Sequence, residues 1–308
     1  MTQPYVPGGP ARAVRHINAM SLWSLPTGSA APDGLPAQLA ALAARGVEAI
    51  QHPEPDTLGP SPLPLVGMTR IDAPSDADRV AREHKARGYP LTTLHVGTGF
   101  EDDEAAYALL APVVEASDRH AYPLLVETHR ATVTQDIRRT LDLTERLPEL
   151  RFNADLSHWY TGHEMTYGDV AAKVDRIAPV LDRVRYVHGR IGDSCCMQVA
   201  LAGADDERDF VGHFRLMWTR LCEGFARTAG PGEVLPFAAE LLPHARPMPG
   251  EPDALQYFRY ARLLPDGTEE SDRWEQAEVL WAIFADCARA AGLATGSPGR
   301  EDGREDAA

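Results

Sequence analysis

Short apolar runs alternate with longer amphipathic stretches along nearly the whole chain. Eight runs read as strands: residues 14–23, 46–52, 63–71, 91–97, 122–129, 150–156, 184–191 and 234–242. Interiors such as PLLV (123–126) are apolar at consecutive positions, as expected for a parallel sheet covered on both faces. Most connections have helical periodicity. The stretch 35–46 closes on Gly46, a residue suited to a helix C-terminus. The stretch 75–88 opens on a Ser/Asp cap, and 101–120 carries acids in its first turn, where the helix dipole favours them. In 132–150, Ile137, Leu141 and Leu143 form one stripe opposite arginines and acids. Residues 167–184, 206–230 and 271–292 continue the pattern, whereas PEPDTLGPSP (53–62) is too short and Pro-rich for a helix of any length.

Strands alternating with helices predict an α/β chain with a parallel sheet. Eight such units in 308 residues predict a single-domain, eight-stranded (β/α)8 TIM barrel. The competing closure, an open doubly wound sheet, usually carries a Gly-rich first turn, and no GxGxxG occurs. The barrel is expected over 13–293, after a flexible N-terminus (1–12) and before a disordered acidic tail (294–308). Residues 244–271 form an insertion longer than a routine loop, which makes them the place to expect a lid or a homo-oligomer contact.

Charge narrows the function. A net charge of −15, with basic residues scattered among acids, argues against a nucleic-acid partner. No apolar run approaches the roughly 20 residues of a membrane span, and the first residues lack a signal-peptide layout. A cytoplasmic location is expected, with Cys195, Cys196, Cys222 and Cys287 as free thiols and no CxxC zinc knot. The two lysines, Lys85 and Lys173, sit in polar helical segments, which disfavours Schiff-base chemistry.

In a barrel of this kind the strand C-termini converge on one mouth. The last four predicted strands carry Glu127, Asp155, His188 and Glu240 near their ends. Three carboxylates brought together without compensation repel one another and take up protons. One divalent ion resolves this, and an oxygen-rich set with one imidazole suits Mn²⁺, Mg²⁺ or Co²⁺ without excluding Zn²⁺.

This arrangement resembles the xylose isomerase-like TIM-barrel superfamily, which includes sugar isomerases and epimerases, inosose dehydratases and endonuclease IV-type enzymes. The resemblance rests on Glu127, Asp155, His188 and Glu240 in that order, on the D-x-x-H pair Asp155/His158, and on the H-x-basic element His188/Arg190. It implies that these four residues bind the metal and that Glu127 and Glu240 are the catalytic acid/base pair. A proton is then removed beside a carbonyl, through a metal-stabilised enediolate, and returned elsewhere. His158 and Arg190 would contact the substrate. The second strand ends in Gln51–His52 where many relatives carry an acid, and Arg190 follows the metal histidine by only two residues.

His95 and His52, at the ends of the fourth and second strands, are further candidates for substrate contact. Alternation turns His129 inward, and Trp23 and Trp159 are either an apolar wall for a sugar face or core packing. The expected activity is isomerisation or epimerisation of a small polyhydroxylated, carbohydrate-like carbonyl compound. An inosose-type dehydratase and a non-catalytic sugar-binding barrel are the alternatives.

Overall fold

A computed structural model describes residues 9–296. Eight parallel strands, β1 (Arg12–Asn18), β2 (Val47–Gln51), β3 (Leu65–Ile71), β4 (Thr92–Val96), β5 (Leu124–Glu127), β6 (Phe152–Ala154), β7 (Val184–Gly189) and β8 (Val234–Ala239), run in sequence order. Pairing of β1 with β8, from Arg12↔Val234 to Ile17↔Ala239, closes them into the expected TIM barrel. Among the described residues no helix is long and apolar enough to cross a membrane.

Period-2 alternation divides each strand between two environments. Outward residues such as Val126, Phe152, Val187 and Phe237 join the large core beneath the helices. Inward residues form a small apolar layer of Ala49, Val66, Leu91, Leu125, Tyr186 and Ala238. Two positions further along the same strands come Gln51, Met68, Thr93, Glu127, His188 and Glu240. The apolar layer is thus the floor of a polar cup at the C-terminal end of the barrel.

The helices are α1 (Leu35–Ala44), α2 (Asp76–Ala86), α3 (Asp103–Arg119), α4 (Ile137–Arg146), α5 (Leu156–Gly162), α6 (Val170–Arg176), α7 (Ala178–Leu181), α8 (Asp209–Thr228) and α9 (Arg273–Ala290). Several departures from the sequence reading have local causes. The first strand stops at Asn18 because that side chain accepts the Met20 N–H at 2.9 Å and starts a 3-10 turn. The single helix expected over 167–184 is broken at Ile177, just ahead of Pro179. Arg12, assigned to the flexible N-terminus, begins β1, where its guanidinium pairs with Glu48 at 2.8 Å and donates to the Gly296 carbonyl. Ala294 and Thr295, assigned to the tail, form a short strand beside Arg12 and Ala13. The rest of both expected terminal segments, residues 1–8 and 297–308, lies outside the described residues.

The insertion folds as an antiparallel hairpin of β9 (Ala245–Met248) and β10 (Glu251–Tyr257). After it, the backbone N–H groups of Phe258 and Arg259 both donate to the His244 carbonyl at 2.9 Å. Arg259 takes a left-handed φ of 61°, and the turn sends Phe258 to Trp23 (ring centroids 6.0 Å apart) and Tyr260 over Arg190. The buried Arg273 of α9 ties this region to the first loop. It pairs with Glu269 at 2.7 Å and donates to the carbonyls of Ser21, Trp23 and Ser24.

His16 points into the barrel interior, with Nδ1 3.3 Å from the Tyr186 hydroxyl. Burial, with help from Arg12, lowers its pKa from 6.5 to about 3. Below pH 6.5 the unfolded chain therefore takes up a proton that the folded protein refuses until about pH 3, and stability falls with pH across that window. In urea unfolding at pH 7 and pH 4.5, His16→Gln is expected to shrink the acid-induced drop in midpoint. An equal drop in both proteins would contradict this account of His16.

Candidate metal centre and active site

Glu127 ends β5, Asp155 directly follows β6, His188 lies on β7 and Glu240 directly follows β8. Their ligand atoms lie within 4.8 Å of one another, and all four residues are buried. Gly189 lets β7 pass close to β8, since a Cβ there would come within 2.1 Å of the Phe237 ring. That close passage places His188 and Arg190, on either side of it, among the carboxylates.

Hydrogen bonds orient each side chain. His188 Nε2 donates to Gln51 Oε1 at 2.7 Å, and Gln51 in turn donates to Thr93 Oγ1 at 2.6 Å. The other ring nitrogen, Nδ1, is thereby left facing Glu127 Oε2 at 3.3 Å and Glu240 Oε2 at 3.4 Å. Asn18 donates to both Gln51 Oε1 and Glu240 Oε1, and Asn153 donates to Glu127 Oε2 at 3.0 Å. Asp155 is also the N-cap of α5: its Oδ1 accepts the Ser157 N–H at 3.1 Å and the Ser157 hydroxyl at 2.6 Å.

Arg190 is the charged group within the set. Its Nη2 donates to Asp155 Oδ2 and, at 3.0 Å, to Glu240 Oε2, while Nε donates to Ser157 Oγ at 3.1 Å. Nη1 is buried and has no hydrogen-bond partner. His158, one turn into α5, stands 3.5 Å from Asp155 Oδ2 and 3.3 Å from Arg190 Nη2. His95 Nε2 lies 3.2 Å from Glu127 Oε1. The His129 ring links these two histidines, with centroids 4.3 Å from His95 and 3.9 Å from His158.

Protonation follows this geometry. Burial opposes the charge on His188, but Glu240 and Glu127 outweigh it and raise the pKa to about 9. Burial likewise works against ionisation of Glu127, yet His95 and His188 hold its pKa well below the usual carboxylate range. At Glu240 burial prevails over His188 and Arg190, and the pKa goes up. His129 falls to about 2 through burial and then the proximity of His158; His158 is lowered by burial and then by Arg190. The cup thus sets carboxylates pulled in opposite directions beside a row of histidines, two of them held neutral. Such a set can take, hold and return protons.

Of the residues singled out from sequence, Glu127, Asp155, His188, Glu240, His158, Arg190 and His95 come together. His52 stands apart: its Nδ1 accepts the Glu54 N–H at 2.9 Å, and its ring lies 6.3 Å from that of Trp23. Trp159 is a core residue whose Nε1–H donates to the Thr134 carbonyl, so it offers no sugar wall. Trp23 is partly buried and is covered by the Arg246 guanidinium, 3.5 Å above its ring. Sequence reasoning passed over Asn18, Asn153 and Tyr260. Alternation from Asp155 back to Asn153 was a usable signal, whereas nothing in the sequence ties Tyr260 to the mouth.

A separate cavity of about 940 Å³ opens at the N-terminal end of the strands, lined by Tyr122, Leu124, Arg151, Arg185 and Val234 among others. Its arginines are paired with Glu149 and Glu233. The chemistry-bearing side chains are all at the other end.

No protein-family model matches the chain, and no curated protein matches it in sequence. Solved structures do resemble it. A xylose isomerase-like TIM barrel protein from Mycobacterium smegmatis in complex with magnesium has a TM-score of 0.52 at 12% identity, covering 91% of this chain and 97% of that one. Endonuclease IV from Thermus thermophilus has a TM-score of 0.46 at 15% identity, covering 90% and 99%. The probable 3-DHS dehydratase involved in petrobactin synthesis from Bacillus anthracis has a TM-score of 0.47 at 14% identity, covering 75% and 93%. The likeness to the Mycobacterium smegmatis protein is one of fold, the TIM barrel expected from the sequence.

Two outcomes follow from the His188 geometry. Removing the Gln51 acceptor in Gln51→Met is expected to lower divalent-ion affinity about 10- to 100-fold by titration calorimetry. Loading the wild-type protein at pH 7 should release about one proton per ion, read from calorimetry in buffers of different ionisation enthalpy. Unchanged affinity in the variant would show that Gln51 does not orient the ligand.

Proposed function

We propose that the protein is a divalent-metal-dependent isomerase or epimerase of a small, polyhydroxylated, sugar-like carbonyl compound. The observation that carries this reading is the meeting of Glu127 and Glu240 at His188 Nδ1, with Asp155 completing a buried ligand set. Three carboxylates and one imidazole fit a hard or borderline divalent ion such as Mn²⁺, Mg²⁺ or Co²⁺, and Zn²⁺ is compatible. Arg190 shares Asp155 and Glu240 without exhausting their oxygen lone pairs. Glu127, Asp155, His188 and Glu240 would hold the ion, which when bound supplies Lewis acidity to a substrate carbonyl.

The protein's own groups do the rest. Glu127 and Glu240 arrive from strands three places apart in the barrel and act as the acid/base pair. The proton removed beside the carbonyl passes to one of them, and an enediolate forms. A proton is then returned to the opposite face or to the neighbouring carbon. His158, Arg190 and His95 line the space in contact with the substrate. Tyr260 and the hairpin insertion cover the mouth and limit water entry.

Dehydration of an inosose-type substrate is the second reading, and His95 favours it. Although burial opposes its charge, Glu127 raises its pKa. A protonated imidazole there can deliver a proton to a departing hydroxyl.

Exchange in heavy water separates the readings. Incorporation of solvent deuterium with the formula otherwise retained supports isomerisation, and loss of one water supports elimination. Glu127→Gln and Glu240→Gln should each slow exchange by about 10²- to 10⁴-fold. Purified protein without a divalent ion, together with unimpaired turnover in both variants, would sink the proposal.

A further inference from the structure

The mouth carries more positive charge than the ligand set needs. Glu127, Asp155 and Glu240 bring three negative charges, which Arg190 and one divalent ion balance. Arg130, three residues beyond Glu127, is then in excess. Many arginines of this acidic chain reach a carboxylate, as Arg139, Arg185 and Arg246 do, but among the described residues none lies within ion-pair distance of Arg130. Its contacts are with Tyr260: Nη2 donates to the hydroxyl at 3.4 Å, and Cζ lies 5.7 Å from the ring centroid.

Arg190 meets the same ring, its Cζ 4.8 Å from the centroid, and its buried Nη1 has no partner. One tyrosine, delivered by the turn at Arg259, therefore joins an exposed, unpaired guanidinium to a buried one with a spare donor. An unsatisfied buried donor is costly unless a ligand completes it. Guanidinium groups present planar pairs of donors that match a carboxylate.

We propose that Arg130, the Tyr260 hydroxyl and Arg190 Nη1 form a carboxylate-recognition subsite, so that the preferred substrate is a sugar acid or polyhydroxylated cyclic acid rather than a neutral sugar. The inference rests on the metal-dependent reading for the location of the reacting carbon. It adds which end of the substrate the mouth holds. A carboxylate is favoured over a phosphate because Arg130 offers a single unpaired guanidinium, whereas a phosphate monoester carries about two negative charges at neutral pH.

The test is calorimetry on the full-length, metal-loaded protein with matched probes: 5-keto-D-gluconate against L-sorbose, and D-glucuronate against D-glucose. Fructose 6-phosphate is the phosphate arm. At least one acid is expected to bind about tenfold or more tightly than its neutral partner, with an affinity that weakens as salt is added. Arg130→Gln should abolish that preference without changing the affinity for the neutral partner, and Arg130→Lys should restore part of it. Because Arg130 is exposed, the melting temperature should not move. The proposal is overturned if no acid outbinds its neutral partner, if Arg130→Gln keeps the preference, or if the phosphate is preferred to the acids. Metal content, measured on the same samples, separates the two readings. An acid preference in protein that takes up no ion would leave the subsite standing and remove the metal-dependent chemistry.

Discussion

Three buried carboxylates sharing one cup are the constraint around which the rest of the site is arranged. Two unit charges 4 Å apart interact with on the order of 4 kcal/mol at an effective dielectric of 20, so Glu127, Asp155 and Glu240 cannot all stay ionised uncompensated. The protein answers with cations and donors from other strands. Arg190 bridges Asp155 and Glu240, His188 faces Glu127 and Glu240, and Asn18 and Asn153 each give an amide N–H to a glutamate. Removing one member of such a buried set leaves another charge unpaired, which is why it behaves as a unit.

The floor and walls of the cup follow from strand alternation. Leu125 and Glu127 share a face of β5, Tyr186 and His188 a face of β7, and Ala238 and Glu240 the same face at β8. The lower residue of each pair packs as apolar interior, and the upper one meets its partners at the mouth. Arg190 extends the β7 series by two more positions, and the absent side chain at Gly189 lets the strand pass Phe237. Barrel closure and site assembly therefore have one geometric cause.

The insertion reaches the mouth through Tyr260. The shared His244 carbonyl and the left-handed Arg259 turn bring Phe258 and Tyr260 back over the barrel, while Arg273 fastens Glu269 and the loop after β1. As a result Tyr260 stands over Arg190, and Arg246, paired with Glu54, covers Trp23.

The eight-unit barrel and the four candidate ligands were legible in the sequence because both depend on local regularities. Apolar runs with helical spacers define the units, and period 2 places Glu127, Asp155, His188 and Glu240 at converging strand ends. Shorter-range competition was harder to read. The Asn18 cap ended β1 early, Asp155 turned out to cap a helix as well as face the site, and Trp159 went to the core. Which nitrogen of His188 faces the carboxylates, how Arg190 divides its donors, and that Tyr260 joins Arg130 to Arg190 were decided only by tertiary structure. Each depends on atoms brought from strands and loops far apart in the chain, where no periodicity reaches and only distance and desolvation select the partner.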